Sequence, residues 1–384
     1  MRKTVYAALA AVLALSLGCA PKEQTLKIGF NIPLTGDSPM IGEGPRNTGE
    51  MIRERINAAG GWDVKGTKYK LEFIYVDNEL KAESAVQAAL RLIEQDQVLV
   101  MIGPQGSGRA IPAGQIADEN RTPMIAPWST NPATTENRPY VFRACFLDPF
   151  QAPVGAKFAQ EQFGANRVAI LYNLEDDYSK TLAELFRDSW IASKGAGSVT
   201  AFESHGQKDT NFEVQLGRII RSGADLLYLP VYYDLVAKIV PQAQQLGWTK
   251  PIMGSDSWGS ADLISLSNNA VEGYYFTTHY AAAGATGATK AYIDDYNARY
   301  GYVPDDVAAL TYDAIYIALN AIQQAGLSGN LQEDRDNIRA AIAGLREYDG
   351  ITGRMTFNDS GDPEKDAVVV HIVNGEFTFV TAMH

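Results

Sequence analysis

The sequence of 384 residues is poor in the residue types that build reactive or metal-holding sites. It contains 2 Cys and 4 His, and neither type recurs at the spacing of metal ligands, so we expect no metal site. Cys145 lies in a strand-like run, and its only possible partner, Cys19, stands close to the start of the chain. We therefore expect no disulfide in the mature fold and a structural role for Cys145.

Motifs of catalysis and nucleotide binding are also missing. No G-x-S-x-G surrounds Ser107 or Ser257, and neither a Walker-type loop nor a G-x-G-x-x-G fingerprint occurs. We expect a protein that is not an enzyme and that needs no cofactor. An exported α/β enzyme is the alternative, and turnover or a phosphate-dependent ligand would reveal it.

Positive charge is scarce as well. Lys and Arg number 33 against 45 Asp and Glu, which gives a net charge of −12 and a pI of about 4.9. This balance lacks the basic stripe that holds phosphate backbones, so we expect no nucleic-acid partner. With 46% hydrophobic residues and 20% charged residues, the composition is that of a folded globular chain.

The N-terminal segment predicts export. Arg2 and Lys3 precede an uncharged run over residues 4–17, which is shorter than the roughly 20 residues of a membrane-spanning helix. The run ends in LSLGCA, which resembles a bacterial lipobox with Cys19 as the acylated residue. We expect a signal peptide over 1–18, a tether over 19–25 and a periplasmic or cell-envelope protein that is lipid-anchored through Cys19. The alternative is a small-residue cleavage site in which Cys19 is incidental.

Short apolar runs alternate with longer amphipathic runs along the rest of the chain. Two successive units of this kind predict an α/β protein with parallel sheets. The predicted strands are 26–32, 71–76, 98–102, 124–126, 168–172, 199–202, 226–229, 251–253, 354–357, 368–373 and 377–380. The predicted helices are 44–59, 79–95, 109–119, 151–163, 181–193, 212–222, 235–246, 290–300 and 305–325.

Ligands of open α/β sheets bind beyond the carboxyl ends of the strands, so the loops that follow strands are the candidate sites. The first such loop, GPQGSG at 103–108, contains Ser107 and Gly108 and leads into a helix. Its backbone N–H groups can receive an anion. The alternative is a tight turn in which Ser107 caps the helix.

Two further loops carry polar groups. The loop PWSTNP at 127–132 contains Trp128 and Thr130, which either complete the coordination of a carboxylate or belong to a turn before Pro132. The loop GSDSW at 254–258 contains Asp256, which either pairs with a ligand ammonium or caps a helix. Together, the loops favour a cleft ligand with an anionic end, a cationic end and an apolar part.

The order and spacing of several motifs resemble the periplasmic leucine/isoleucine/valine-binding proteins of ABC importers, a type I solute-binding family. The motifs are KIG at 27–29, PLTG at 33–36, INAAGG at 56–61, IGP at 102–104 with Ser107, IAPWST at 125–130, FR at 142–143, DPF at 148–150 and MGSD at 253–256. The resemblance covers essentially the whole mature chain.

The resemblance implies two Rossmann-like lobes with parallel central sheets joined by three crossovers, and a ligand between the lobes. We expect lobe 1 to comprise 26–147 plus 279–350, and lobe 2 to comprise 148–278 plus 351–384. By position, Ser107 and Thr130 resemble the family's hydroxyls for the ligand carboxylate, with the backbone at Gly108 and Trp128 nearby. Asp256 resembles the acid that receives the α-ammonium.

The resemblance also assigns a side-chain pocket. Tyr178 and Tyr232 resemble the aromatic residues that close over the ligand, whereas Ile41 stands where the leucine-type binders have an aromatic wall. With Trp128 as a bulky neighbour, the pocket suggests an aliphatic or aromatic side chain. We therefore expect a monomeric binding protein that delivers a branched-chain or other apolar amino acid to ABC permease subunits by hinge closure. The alternative is a ligand sensor of the same fold that binds an amide, a urea-like molecule or an aromatic acid.

Overall fold

The computed structural model describes residues 24–36 and 38–384, which form two large sheets with helices on their faces. Cys19 and the predicted signal peptide lie outside the described residues. Within this part of the chain, no helix combines the length and the apolar character that a bilayer crossing requires.

The first sheet has six strands in the order β2-β3-β1-β4-β5-β6. Neighbouring strands run parallel except β2 and β3, which form an antiparallel hairpin at the edge. The strands are β1 (Thr25–Ile32), β2 (Trp62–Val64), β3 (Thr67–Asp77), β4 (Val100–Ile102), β5 (Met124–Ala126) and β6 (Val141–Arg143). The helices between them are α1 (Met40–Ala58), α2 (Ala82–Leu90), which continues as a π-helical turn over Arg91–Gln95, and α3 (Ser107–Glu119).

The second sheet has seven strands in the order β16-β15-β11-β10-β9-β7-β8. It takes β7 (Val168–Asn173), β8 (Val199–His205), β9 (Leu226–Leu229), β10 (Ile252–Gly254), β11 (Tyr275–Thr278), β15 (Ala367–Val373) and β16 (Glu376–Met383). Its helices are α4 (Asp148–Phe163), α5 (Asp177–Lys194), α6 (Glu213–Arg221), α7 (Tyr233–Gln245) and α8 (Asp262–Leu266). We call the first sheet with its helices lobe 1 and the second sheet with its helices lobe 2.

The chain passes between the two sheets three times. It leaves the first sheet after β6 and returns after β11 to form α9 (Gly287–Tyr300), α10 (Asp306–Ala325) and α11 (Leu331–Ala343). Helix α10 packs against α1 and β4 of lobe 1. A small sheet of β12 (Tyr348–Gly350), β13 (Gly353–Phe357) and β14 (Pro363–Glu364) then leads back to β15. These crossings confirm the predicted two-lobed α/β class.

The structure differs from the predicted elements where strands are short or polar. Strands β2, β11, β12 and β14 and helices α8 and α11 were not expected. The sheets are mixed rather than wholly parallel, because β2–β3 and β15–β16 are antiparallel hairpins and β11 also pairs antiparallel with β15. The second hairpin turns at Asn374 and Gly375, whose φ angles of 53° and 72° suit a tight two-residue turn. Helix α1 begins at Met40 rather than at Gly44, so Pro45 lies inside the helix.

A buried ion pair links two of the crossings. The Arg143 guanidinium at the end of β6 is fully buried, and its Nε lies 2.5 Å from Oδ1 of Asp362. Its remaining N–H groups donate to the carbonyl oxygens of Ser129 and Asn131 and to the Thr135 hydroxyl. One side chain thereby fixes the loop after β5 against the segment that enters β14.

Replacing Asp362 with Ala leaves Arg143 buried without a counter-charge. We expect the free energy of unfolding in urea to fall by about 3 kcal/mol, the usual cost of breaking a buried pair from one side. The matched control is Asp359→Ala, which removes an exposed carboxylate nearby and is expected to change stability by less than about 0.5 kcal/mol. Equal effects of the two substitutions would show that the pair does not hold the crossings.

Candidate functional site

The predicted site residues occupy the carboxyl ends of strands in both sheets or the helices beside them. Ser107 and Gly108 begin α3 after β4, and Trp128 and Thr130 follow β5. In the second sheet, Tyr178 lies in the first turn of α5 after β7, Tyr232 immediately precedes α7 after β9, and Asp256 follows β10. Ile41 lies in the first turn of α1. Each of these side chains except Tyr232 is at most 5% exposed, and Gly108 and Tyr232 are partly buried.

Hydrogen bonds join the two loops of lobe 1. The Gly106 N–H donates to the Trp128 carbonyl at 2.9 Å. The Ser107 Oγ accepts from the Asn131 N–H at 3.4 Å and from the Ser129 hydroxyl at 3.3 Å. Gly106, with φ of 76°, precedes the helix, and Ser107 is its first residue with no capping bond. The capping interpretation of Ser107 is therefore wrong, and its own hydroxyl proton has no acceptor among the described residues.

Two polar atoms of the loop after β5 are buried without a partner. Neither the Thr130 Oγ1 nor the Trp128 Nε1 makes a hydrogen bond of good geometry within the described part of the chain, although the Thr130 hydroxyl lies near Asp148 and acts to lower the pKa of that carboxyl. The turn at this point is capped instead by the Asn131 side chain, which accepts from the Ala133 N–H at 2.9 Å. The turn interpretation of Thr130 is therefore wrong. Because an unpaired buried hydroxyl costs free energy, Thr130 is a candidate for a ligand contact.

Asp256 receives polar groups from three segments. Its Oδ1 accepts from the Gln151 Nε2 at 2.6 Å and from the Tyr178 hydroxyl at 2.5 Å, while its Oδ2 lies 3.3 Å from the His279 Nε2. Its side chain makes no capping bond, so the capping interpretation of Asp256 is wrong. Burial lowers the pKa of His279 although Asp256 opposes the shift, so the imidazole is neutral at pH 7.

A second carboxyl group lies close to Asp256. Asp148, the first residue of α4, is fully buried, and neither of its oxygens makes a hydrogen bond of good geometry among the described residues, although the Thr130 hydroxyl and the Arg143 charge act on it. Burial, reinforced by the Asp256 charge, raises the pKa of Asp148 well above its usual range. Two adjacent carboxyls that are short of positive charge form a site that favours a cation.

Aromatic rings connect the two lobes across the cleft. The Trp128 and Tyr232 rings have centroids 5.7 Å apart, and those of Tyr232 and Tyr178 are 5.4 Å apart. Trp128 and Ile41 border a space of about 10 Å³, which holds at most about one water molecule. Because the site side chains from both lobes are buried, the cleft is closed in this structure.

Arg109 bridges the lobes and was not identified from the sequence. Its Nη2 donates to the Tyr232 hydroxyl at 3.2 Å, and its Nη1 lies 3.5 Å from Oδ2 of Asp176, the residue that caps α5. Asn131 makes a second bridge by donating to the Asp177 carbonyl and to the Thr181 hydroxyl. These bonds stabilise the closed arrangement.

No metal or nucleophilic centre accompanies these groups. Within residues 24–36 and 38–384, no cluster of three or more His, Cys, Asp or Glu side chains is arranged to hold a metal ion. The buried Cys145 thiol donates to the Ser129 carbonyl at 3.2 Å, and burial raises its pKa to about 12. A thiol with this pKa is a poor nucleophile at neutral pH.

A closed cleft between two α/β lobes, lined by unpaired hydroxyls on one side and carboxyls on the other, defines a protein of the two-lobed solute-binding class. The sequence of residues 25–376 matches the family described as periplasmic binding proteins. The chain belongs to this family, and membership implies a periplasmic location.

Individual relatives cover nearly the full chain. A Leu/Ile/Val-binding protein, BraC3, of Rhizobium johnstonii is 29% identical over 92% of this chain and 93% of its own length. The crystal structure of the leucine-binding protein LivK of Thermotoga maritima has a TM-score of 0.85 and 32% identity, covering 94% of this chain and 99% of that one. LivJ of Streptococcus pneumoniae, solved in complex with isoleucine, has a TM-score of 0.83 and 28% identity over 93% and 99% of the two chains. The family resemblance is thus confirmed.

Replacing Arg109 with Met removes the guanidinium and leaves Asp176 buried without its partner. We expect the closed arrangement to lose about 3 kcal/mol, so the radius of gyration from small-angle X-ray scattering increases toward that of separated lobes. The control is Arg187→Met, because Arg187 pairs with Asp188 on the surface of one lobe. An unchanged scattering curve for the Arg109 variant would contradict a role in closure.

Proposed function

We propose that this chain is the substrate-binding lipoprotein of an ABC importer and captures an apolar, branched-chain type of amino acid. The observation that carries the proposal is the division of the cleft into a hydroxyl side on lobe 1 and a carboxyl side on lobe 2. A zwitterion complements both sides at once, because its carboxylate meets hydroxyl and N–H groups and its ammonium meets a carboxylate that has no cationic partner.

The ligand carboxylate would lie at the start of α3. The N–H groups of Ser107 and Gly108 belong to the first helical turn and have no acceptor within an α-helix. The Ser107 and Thr130 hydroxyls, together with the backbone at Trp128, complete this set. Relatives that bind leucine or isoleucine support the assignment.

The ligand ammonium would lie against Asp256. Asp256 keeps lone pairs beyond those that face Gln151, Tyr178 and His279, and Asp148 adds a second carboxyl beside it. A cation at this point would lower the pKa of Asp148 and allow its ionisation. Without the ammonium, Asp256 would keep only the neutral partners Gln151, Tyr178 and His279, and the buried carboxyls would lack a counter-charge.

The ligand side chain would contact the aromatic residues. The rings of Trp128, Tyr178 and Tyr232 form a continuous aromatic surface across the cleft. Ile41 places a branched aliphatic side chain beside Trp128, at the position where the leucine-type binders have an aromatic residue. This surface suits an aliphatic or aromatic side chain that is buried when the lobes close.

We propose that the lobes close when the ligand binds and that the permease recognises this closed, ligand-bound form. The lobes would be bounded as 26–147 plus 279–350 and 148–278 plus 351–384, and each would move as a unit about the crossings. Lipid at Cys19 would anchor a monomeric protein to a membrane, and binding and release would proceed without covalent chemistry.

Asp256→Asn tests the ammonium contact while it preserves the size of the side chain. We expect the affinity for L-leucine, measured by titration calorimetry on refolded protein, to fall by about 10- to 100-fold, because a charge-assisted hydrogen bond contributes about 1.5–3 kcal/mol. The control is Asp359→Asn, an exposed carboxylate outside the cleft. Unchanged affinity in the Asp256 variant would show that the ligand ammonium does not contact Asp256. Absence of L-leucine binding by the unsubstituted protein would reject the proposed ligand class.

A further inference from the structure

A second cavity lies beside the cleft, on the flank where β11 meets the loop between α9 and α10. It has a volume of about 500 Å³. Its walls are largely apolar and include Ile264, Phe276, Tyr280, Ile293, Val370 and Phe377. Asp305 and Asp306 separate it from the small space next to Trp128.

All the charged residues that line this cavity are acidic. The acidic residues Asp305, Asp306 and Glu376 line it, and none of the described lining residues is Lys, Arg or His. Asp305 already has a hydrogen-bond partner, because its carboxylate caps α10 by accepting from the Ala308 N–H at 2.8 Å. A cavity with this lining repels anions and gains from a positively charged occupant.

Asp306 has an oxygen that nothing in the described structure satisfies. The residue is 2% exposed, its Oδ2 accepts from the Thr278 hydroxyl at 3.0 Å, and its Oδ1 has no hydrogen-bond partner among the described residues. Gly259 leaves room for this carboxyl, since a methyl group there would lie 2.4 Å from Oδ1. Burial, together with the charges of Asp305 and Asp256, raises the pKa of Asp306 well above its usual range. The Thr278 hydroxyl and the Val307 N–H oppose this shift in pKa, and a nearby cation would favour the ionised carboxylate.

We propose that this flanking cavity binds a small organic ammonium ion with an apolar stem. The ammonium would donate to Oδ1 of Asp306, and the stem would pack against Phe276, Tyr280 and Phe377. Ion pairing satisfies the unpaired oxygen, and aromatic faces near the cation add a further attraction. The cavity has room for an arylalkylamine of a few carbon atoms beyond its ring.

Amine binding in the flanking cavity uses different polar residues from amino-acid recognition in the cleft. None of Ser107, Thr130 and Asp256 lines the flanking cavity. The amine would bind whether or not the cleft accepts leucine, so the two proposals can fail separately.

The probe is 2-phenylethylamine, titrated calorimetrically into the unsubstituted protein at pH 7. We expect saturable binding with one site, and 2-phenylethanol, which has the same stem without the charge, is expected to bind at least about tenfold more weakly. Asp306→Asn should weaken amine binding at least about tenfold, because the amide cannot become the counter-ion. Its unchanged melting temperature would show that the variant is folded. The matched control Asp359→Asn should bind the amine like the unsubstituted protein.

Asp256→Asn distinguishes the flanking cavity from the cleft. We expect this variant to keep its affinity for 2-phenylethylamine. The proposal is overturned if the amine does not bind, if 2-phenylethanol binds equally well, if Asp306→Asn binds the amine unchanged, or if Asp256→Asn rather than Asp306→Asn abolishes binding.

Discussion

The hydrogen bonding of Asp256 is the constraint on which the binding site depends. Gln151 comes from α4, Tyr178 from α5 and His279 from the crossing after β11, so one carboxylate draws three separate segments of the chain together. A buried carboxylate demands such partners because the loss of water costs several kcal/mol. The same demand keeps the acidic end of the cleft in one place while the lobes move.

Closure and recognition use the same physical principle. Buried polar groups that lack partners raise the free energy of the closed state, and the Arg109 and Asn131 bridges offset part of that cost. Thr130, Trp128 and Asp148 keep unpaired atoms. A ligand that satisfies these atoms favours the closed form by its difference in affinity for the two forms, which is how binding shifts a hinge equilibrium.

The fold was largely predictable because short apolar runs identify the central strands, and the loops that follow them contain most of the site. Two of the site residues that were not identified from the sequence, Asp148 and His279, were missed for the same reason. Asp148 follows the three-residue strand β6, and His279 follows β11, whose four residues were not recognised as a strand. The rule that polar residues after strands line the site would have found both. Arg109 was missed for a different reason, because its partner Asp176 belongs to the other lobe.

The sequence alone could not show whether a polar residue after a strand caps a helix or contacts a ligand. That choice required the three-dimensional contacts. A serine, threonine or aspartate after a strand serves equally well as a cap or as a ligand group in sequence, since both roles use the same oxygen. In the structure, Gly106 precedes α3 and Asn131 caps the turn after β5, which leaves Ser107 and Thr130 for other partners.

We propose that the cleft recognises both charged ends of an α-amino acid. The most direct test compares three ligands by titration calorimetry on refolded, unsubstituted protein: L-leucine, 4-methylpentanoate, which lacks the ammonium, and L-leucinamide, which lacks the carboxylate charge. We expect L-leucine to bind at least about tenfold more tightly than either analogue, because each analogue leaves one charged end of the site without its counterpart. Equal or tighter binding of either analogue would contradict recognition of the zwitterion.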